Sequence, residues 1–136
     1  MIRLLPYVDG LVVGLLRAGL SASVTVEAEL SDPLQRTPYV FAQVVGGDEV
    51  DPVEMGVPLV EVECYARGSK RAAADLAEDV RVALYTAWAD QTVTPHGHLA
   101  SFRTVTYPRE LRTVGQPAEV YRYIATYALG VRPPRT

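Results

Sequence analysis

The sequence predicts an α+β domain, a largely antiparallel sheet with two helices packed on one face. Three observations carry that reading. Apolar residues recur near helical spacing in two stretches and at alternate positions in most of the runs between them. The resulting element order is helix, three strands, helix, two strands. The second helical stretch also carries a stripe rich in Ala, and small side chains let a helix lie close against a sheet.

The first helix spans about 6–20. Leu5, Val8, Leu11, Val12, Leu15 and Leu16 recur on one side, Pro6 suits a first turn and Gly19 an end. A strand follows at 24–30, where Val24, Val26, Ala28 and Leu30 share a face. Ser31-Asp32-Pro33 signals a turn, and Gln35-Arg36-Thr37 reads as polar loop. The second strand, 39–45, stops at Gly46-Gly47.

Residues 46–58, GGDEVDPVEMGVP, read as an exposed loop carrying Asp48, Glu49, Asp51 and Glu54 and no basic residue. A loop of that length in a compact domain usually serves a purpose. The third strand, 59–66, turns Val60, Val62, Cys64 and Ala66 to one face and Glu61, Glu63 and Tyr65 to the other.

The second helix runs from Lys70 to about Ala89. Ala73, Leu76, Ala77, Val80, Ala83, Leu84, Ala87 and Trp88 form its stripe. A turn region at 92–97, a fourth strand at 99–107, a hairpin-like connection at 108–117 and a fifth strand at 118–131 complete the order. Tyr121, Tyr123, Ala125, Tyr127 and Leu129 share one face of the last strand. One domain therefore covers 1–131, and 132–136 is a short extended tail.

Composition narrows the function. At 136 residues, 49% hydrophobic and 21% charged, the chain can bury a core without disulfides or metal. A net charge of −3 makes it a poor clamp for nucleic acid. Pro6 and Asp9 interrupt the apolar N-terminal stretch, Arg17 follows it, and no small-residue cleavage site is evident. That pattern fits neither a signal peptide nor a bilayer span. A soluble protein made in the cytoplasm is expected. Twelve of the thirteen basic residues are Arg, a bias that points to GC-rich coding.

Several residues invite a chemical reading. In ECYARGSKR the Gly68-Ser69-Lys70 junction lies between a strand and a helix, where phosphate loops sit. A Walker loop needs GxxxxGK[ST], however, and only one glycine is present. The plainer reading is a strand end followed by Ser69 as an N-cap, accepting from the amide of Arg71 or Ala72. Lys70 and Arg71 oppose the helix dipole there, which suggests that their charge meets something outside the chain. His96 and His98 are expected in a solvent-facing turn without the further ligands a metal needs. Cys64, alone in the sequence, reads as a buried inert thiol. No nucleophile elbow or zinc-binding helix appears. Eight tyrosines, three of them on one face of the last strand, leave two readings open: a core face or a protein–protein surface.

The run PLVEVECYARGSKRAAADLAEDVRVAL at 58–84, set between an amphipathic first helix with Val-rich strands and two final strands, resembles the tail terminator proteins of long-tailed, siphovirus-type bacteriophages. The likeness is strongest to those of phages infecting high-GC actinobacteria. The resemblance implies a structural virion protein at the head–tail junction, with no catalysis, metal or cofactor. It implies a homohexameric ring that caps the tail tube, stops its polymerisation and docks the head. The expected partners are other copies of the chain, the tail tube protein and a head-completion or neck protein, with DNA passing through the lumen without specific binding. Residues 46–58 and 108–117 are then expected to reach neighbours or the tube. The interface candidates are Asp48, Glu49, Asp51, Glu54, Arg67, Lys70, Arg71, Arg109, Arg112, Tyr121 and Tyr123. Two alternatives stay open: another neck protein, for head completion or head–tail joining, and a small anion-binding domain or enzyme using Arg67, Ser69, Lys70 and Arg71.

Overall fold

The computed structural model describes residues 5–134. Among them the elements are α1 (Val8–Gly19), β1 (Thr25–Glu27), β2 (Tyr39–Asp51), β3 (Met55–Arg67), α2 (Lys70–Ala89), β4 (His98–Glu110) and β5 (Val120–Arg132). The strands form one sheet in the order β1-β2-β3-β5-β4, antiparallel except for the β1–β2 pair. The α+β class, the element order and the single helix-bearing face are as the sequence predicts.

The core lies between that face and the helices. Leu11, Val12, Leu15 and Leu16 of α1 and Leu76, Ala77, Val80, Leu84 and Ala87 of α2 pack on Val40, Val60, Val62, Cys64, Ala125, Tyr127 and Leu129. Burial pushes the Cys64 thiol well above its ordinary value, with the charges of Glu63 and Asp79 adding to the effect, so the inert reading stands. The expected strand at 24–30 shrinks to three residues, and α1 begins two residues after Pro6.

The larger correction concerns 46–58, which is not a loop. β2 and β3 continue as paired strands through Asp48↔Val57 to Asp51↔Met55, leaving a short turn at 52–54. Gly46 and Gly47 do not stop the strand. They carry it past a register shift at positive φ, where a Cβ on Gly47 would lie 2.5 Å from Pro58 Cα. Pro58 is tolerated because the ladder to β5 is interrupted there, between Gly56↔Val131 and Leu59↔Ala128.

The tail expected from residue 132 also differs. Arg132 still belongs to β5, and Pro133 is buried. Gly97, at φ +121, abuts the Arg132 carbonyl and fixes the strand end against the start of β4. Arg135 and Thr136, like Met1–Leu4, lie outside the described residues.

Candidate functional site

The helix-free face of the sheet is divided into a covered half and an open half. At the covered end Tyr39, Phe41, Tyr65 and Val120 form a second apolar cluster with Leu34. The Tyr39 hydroxyl ties down the segment after β1: it donates to Glu27 Oε1 (2.8 Å) and lies 3.0 Å from the Glu29 carbonyl, while the Ser31 amide donates to it. The Tyr39 hydroxyl, aided by Arg36 at 2.9 Å, holds the Glu27 carboxyl below its ordinary value. Nearby, Arg122 Nε lies 3.0 Å from Glu63 Oε1 but without hydrogen-bond alignment, so this contact is an ion pair. The Tyr65 hydroxyl supplies the aligned donor to the same oxygen at 2.9 Å. A buried acid is thus paired and hydrogen-bonded, as its burial demands.

The open half carries charge. Residues paired across strands point to one face, so Asp48 shares a face with Val57, Leu59 and Glu61. Arg103 and Arg109 of β4 lie opposite Ala128 and Ile124, on that same face. Both arginines are exposed, and among the described residues neither has an acidic partner. Asp48, Glu49 and Asp51 are exposed and meet no basic side chain among the described residues. The Asp51 carboxyl instead accepts the amides of Val53 and Glu54, at 2.9 Å each, which holds it below the ordinary range and shapes the hairpin turn. Glu54 is exposed beside it.

The basic candidates around α2 have partners within the chain. Arg67 pairs with Glu119 (2.9 Å) and donates to the Leu34 carbonyl, Lys70 lies 3.9 Å from Glu110, and Arg71 pairs with Asp75 at 2.9 Å. Their charge is therefore met at home, although Lys70 and Arg71 remain exposed. Ser69 is the predicted cap, accepting the Ala72 amide at 3.1 Å, and Gly68 makes the turn at φ +107. The Ser69 hydroxyl is thus engaged by its own helix, as the capping reading requires. Arg112 stacks over the Tyr121 ring at 5.0 Å and donates to the carbonyls of Pro117 and Val120. Tyr121 and Tyr123 are half-buried on the helix side, where Tyr123 packs on the core.

His96 is exposed and edge-on to Tyr7, but His98 is buried at the start of β4, which corrects the solvent-facing expectation for that residue. Among the described residues no cluster of three His, Cys, Asp or Glu is placed to hold a metal. Arg103 is the residue that sequence reasoning missed. Only the register shows it sharing a face with Asp48.

The outer edges of the sheet complete the geometry. On the β1 side α1 closes the edge: Arg17 donates to the Val26 carbonyl (2.8 and 3.1 Å), and Asp9 accepts the Val44 amide at 3.2 Å. Beyond Val44 no described residue pairs with that edge as far as the acidic tip. On the other side β4 pairs, among the described strands, with β5 alone, and Val105 and Tyr107 are exposed along it.

The sheet thus carries its helices on one face, two unlike outer edges, an acidic β2–β3 tip, and Arg103 and Arg109 on β4. The chain belongs to the phage tail termination protein family, whose model matches residues 5–136. Among solved structures it is similar to a chain of the virion of a native gene transfer agent (GTA) particle, with a TM-score of 0.54 and 19% identity over 86% of this chain and 84% of that one. That likeness concerns the fold. No curated protein matches the chain. The family is one of structural tail proteins, and the chain is accordingly a virion tail component.

Proposed function

We propose that six copies of this chain close into a ring on the end of the tail tube, stop its polymerisation and present the surface to which the head docks. The observation that carries this reading is the family match, which spans nearly all of the chain. Two features support it. The outer edges differ from one another, as a head-to-tail contact that closes into a ring requires. The net charge of −3 per copy suits a lumen through which DNA slides without sticking.

In this reading the partners are neighbouring copies, the tail tube protein and a head-completion or neck protein. The acidic hairpin tip (Asp48, Glu49, Asp51, Glu54) and the β4–β5 side (Arg109, Arg112, with Tyr121 and Tyr123) contact neighbours or tube. Arg67, Lys70 and Arg71 lie near the same contacts. The Arg-for-Lys bias fits a long-tailed phage of a high-GC host.

Deleting the gene from its phage tests the proposal. Electron microscopy is expected to show abnormally long or headless tails, with normal tails returning on complementation. Tails of normal length joined normally to heads in the deletion strain would reject it.

A further inference from the structure

The open-face charges carry a more specific inference. Asp48 and Arg103 share a face but stand on β2 and β4, with β3 and β5 between them. Three strand spacings and an offset of two residues along the strands put their backbones about 16 Å apart. That exceeds the screening length of about 8 Å at physiological salt. Within one chain the two charges therefore do little for each other.

Their levels along the sheet are nevertheless close. Arg103 is opposite Ala128, Ala128 opposite Leu59, and Leu59 opposite Gly46, and Asp48 is the next residue but one along β2. The strand order makes β4 antiparallel to β2. If β4 of one copy lies beside the part of β2 beyond Val44 in the next, Arg103 becomes the diagonal cross-strand neighbour of Asp48, on the same face and within side-chain reach.

We propose that Arg103 of one copy pairs with Asp48 of the next, and that this pair selects which edges of two copies meet. The proposal rests on the ring reading, since it takes a second copy as the occupant. The rest of the edge geometry favours selection by side chains rather than by a long backbone ladder. Register shifts at Thr104/Thr106 and Thr106/Arg109, with Pro108 inside the second, break the row of backbone groups along outer β4. Shifts at Val44/Gly46 and Glu49/Asp51 do the same on β2. Asp9 and Arg17 occupy the edge at Val44 and Val26, so among the described residues the acidic tip is the part of β2 without a strand or helix beside it. Glu49 beside Asp48 adds to the field that Arg103 meets, and Arg109 lies further along β4 at the level of Phe41.

The gene-deleted phage gives the test. It is complemented with wild type, Asp48→Arg, Arg103→Asp, the double variant, or both single variants expressed together. Each single variant sets like charges against each other at every junction and is expected to lower plaque titre at least about a hundredfold. The double variant restores opposite charges and is expected to recover to within about tenfold of wild type. Co-expressed single variants are expected to recover likewise, because alternating copies make every junction complementary. Single variants that complement like wild type overturn the pairing, as does a double variant no better than the singles. In both cases the ring reading survives, because the wild-type gene still restores the tails. A deletion strain with normal tails overturns both. Melting curves of the purified variants check folding. If a charge-reversed chain does not fold, Asp48→Asn and Arg103→Gln replace it, and the absence of any loss of titre then overturns the pairing.

Discussion

The helix-covered face of the sheet buries Val60, Val62, Cys64, Ala125, Tyr127 and Leu129 under α1 and α2, while the opposite face gathers a small cluster at one end and leaves Asp48, Glu61, Arg103 and Arg109 on its open half. The first face obeys packing: apolar area leaves water, and each side chain is held by its neighbours. The open half of the second carries exposed charge, Asp48, Arg103 and Arg109, with no oppositely charged partner among the described residues, which contributes little to the stability of a single chain. On the proposed reading, recognition is written on the open half of the face opposite the main core. A substitution should reveal its side by what it damages.

The largest effect is expected on the covered face. Leu84 is fully buried between α2 and the sheet, so Leu84→Ala should cost about 2–5 kcal/mol in urea unfolding, through lost burial and the cavity left behind. A value below about 1 kcal/mol would mean that the helix is not seated as described. A smaller effect is expected where α2 begins. Ser69→Ala removes the acceptor of the Ala72 amide and should cost about 1 kcal/mol, whereas Ser69→Asp should retain most of the cap. The smallest is expected at the acidic tip. Asp48→Arg should change the unfolding free energy by no more than about 0.5 kcal/mol, even though it should break assembly. A large loss of monomer stability there would erase the contrast between the faces.

The covered face was legible in the sequence because its signals are local and agree with one another. The bounds of α2 follow from a serine cap, an Ala-rich stripe and a glycine turn, and the structure places all three where the sequence does. The acidic hairpin was illegible for a physical reason. Gly46, Gly47 and Pro58 are turn-forming residues, but ladder pairing between β2 and β3 overrides their propensity, with a bulge just before Gly46, and only Pro52 lies in a turn. The open-face charge pattern was hidden for another reason. Asp48 and Arg103 are far apart in the chain, and their common face depends on a register that passes through two intervening strands. His98 illustrates the same limit: its Pro/Gly surroundings suggest a turn, yet it enters β4 and is buried.

The position of β5 has a further consequence, for the order in which the domain forms. β5 comes last in chain order among the described elements, yet it sits between β3 and β4 and forms a long ladder with each. The β2–β3 hairpin closes locally, but β3 must wait for α2 and β4 to be traversed before its second neighbour arrives. β4, for its part, has no partner in the sheet until then. Such a distant closure makes folding slow relative to a sheet of successive hairpins. It also makes the transition close to all-or-none, because neither half of the sheet can be completed alone. Until Val120–Arg132 docks, both flanking strands expose edges of the kind that aggregate. The strand that arrives last is the one that holds the sheet together.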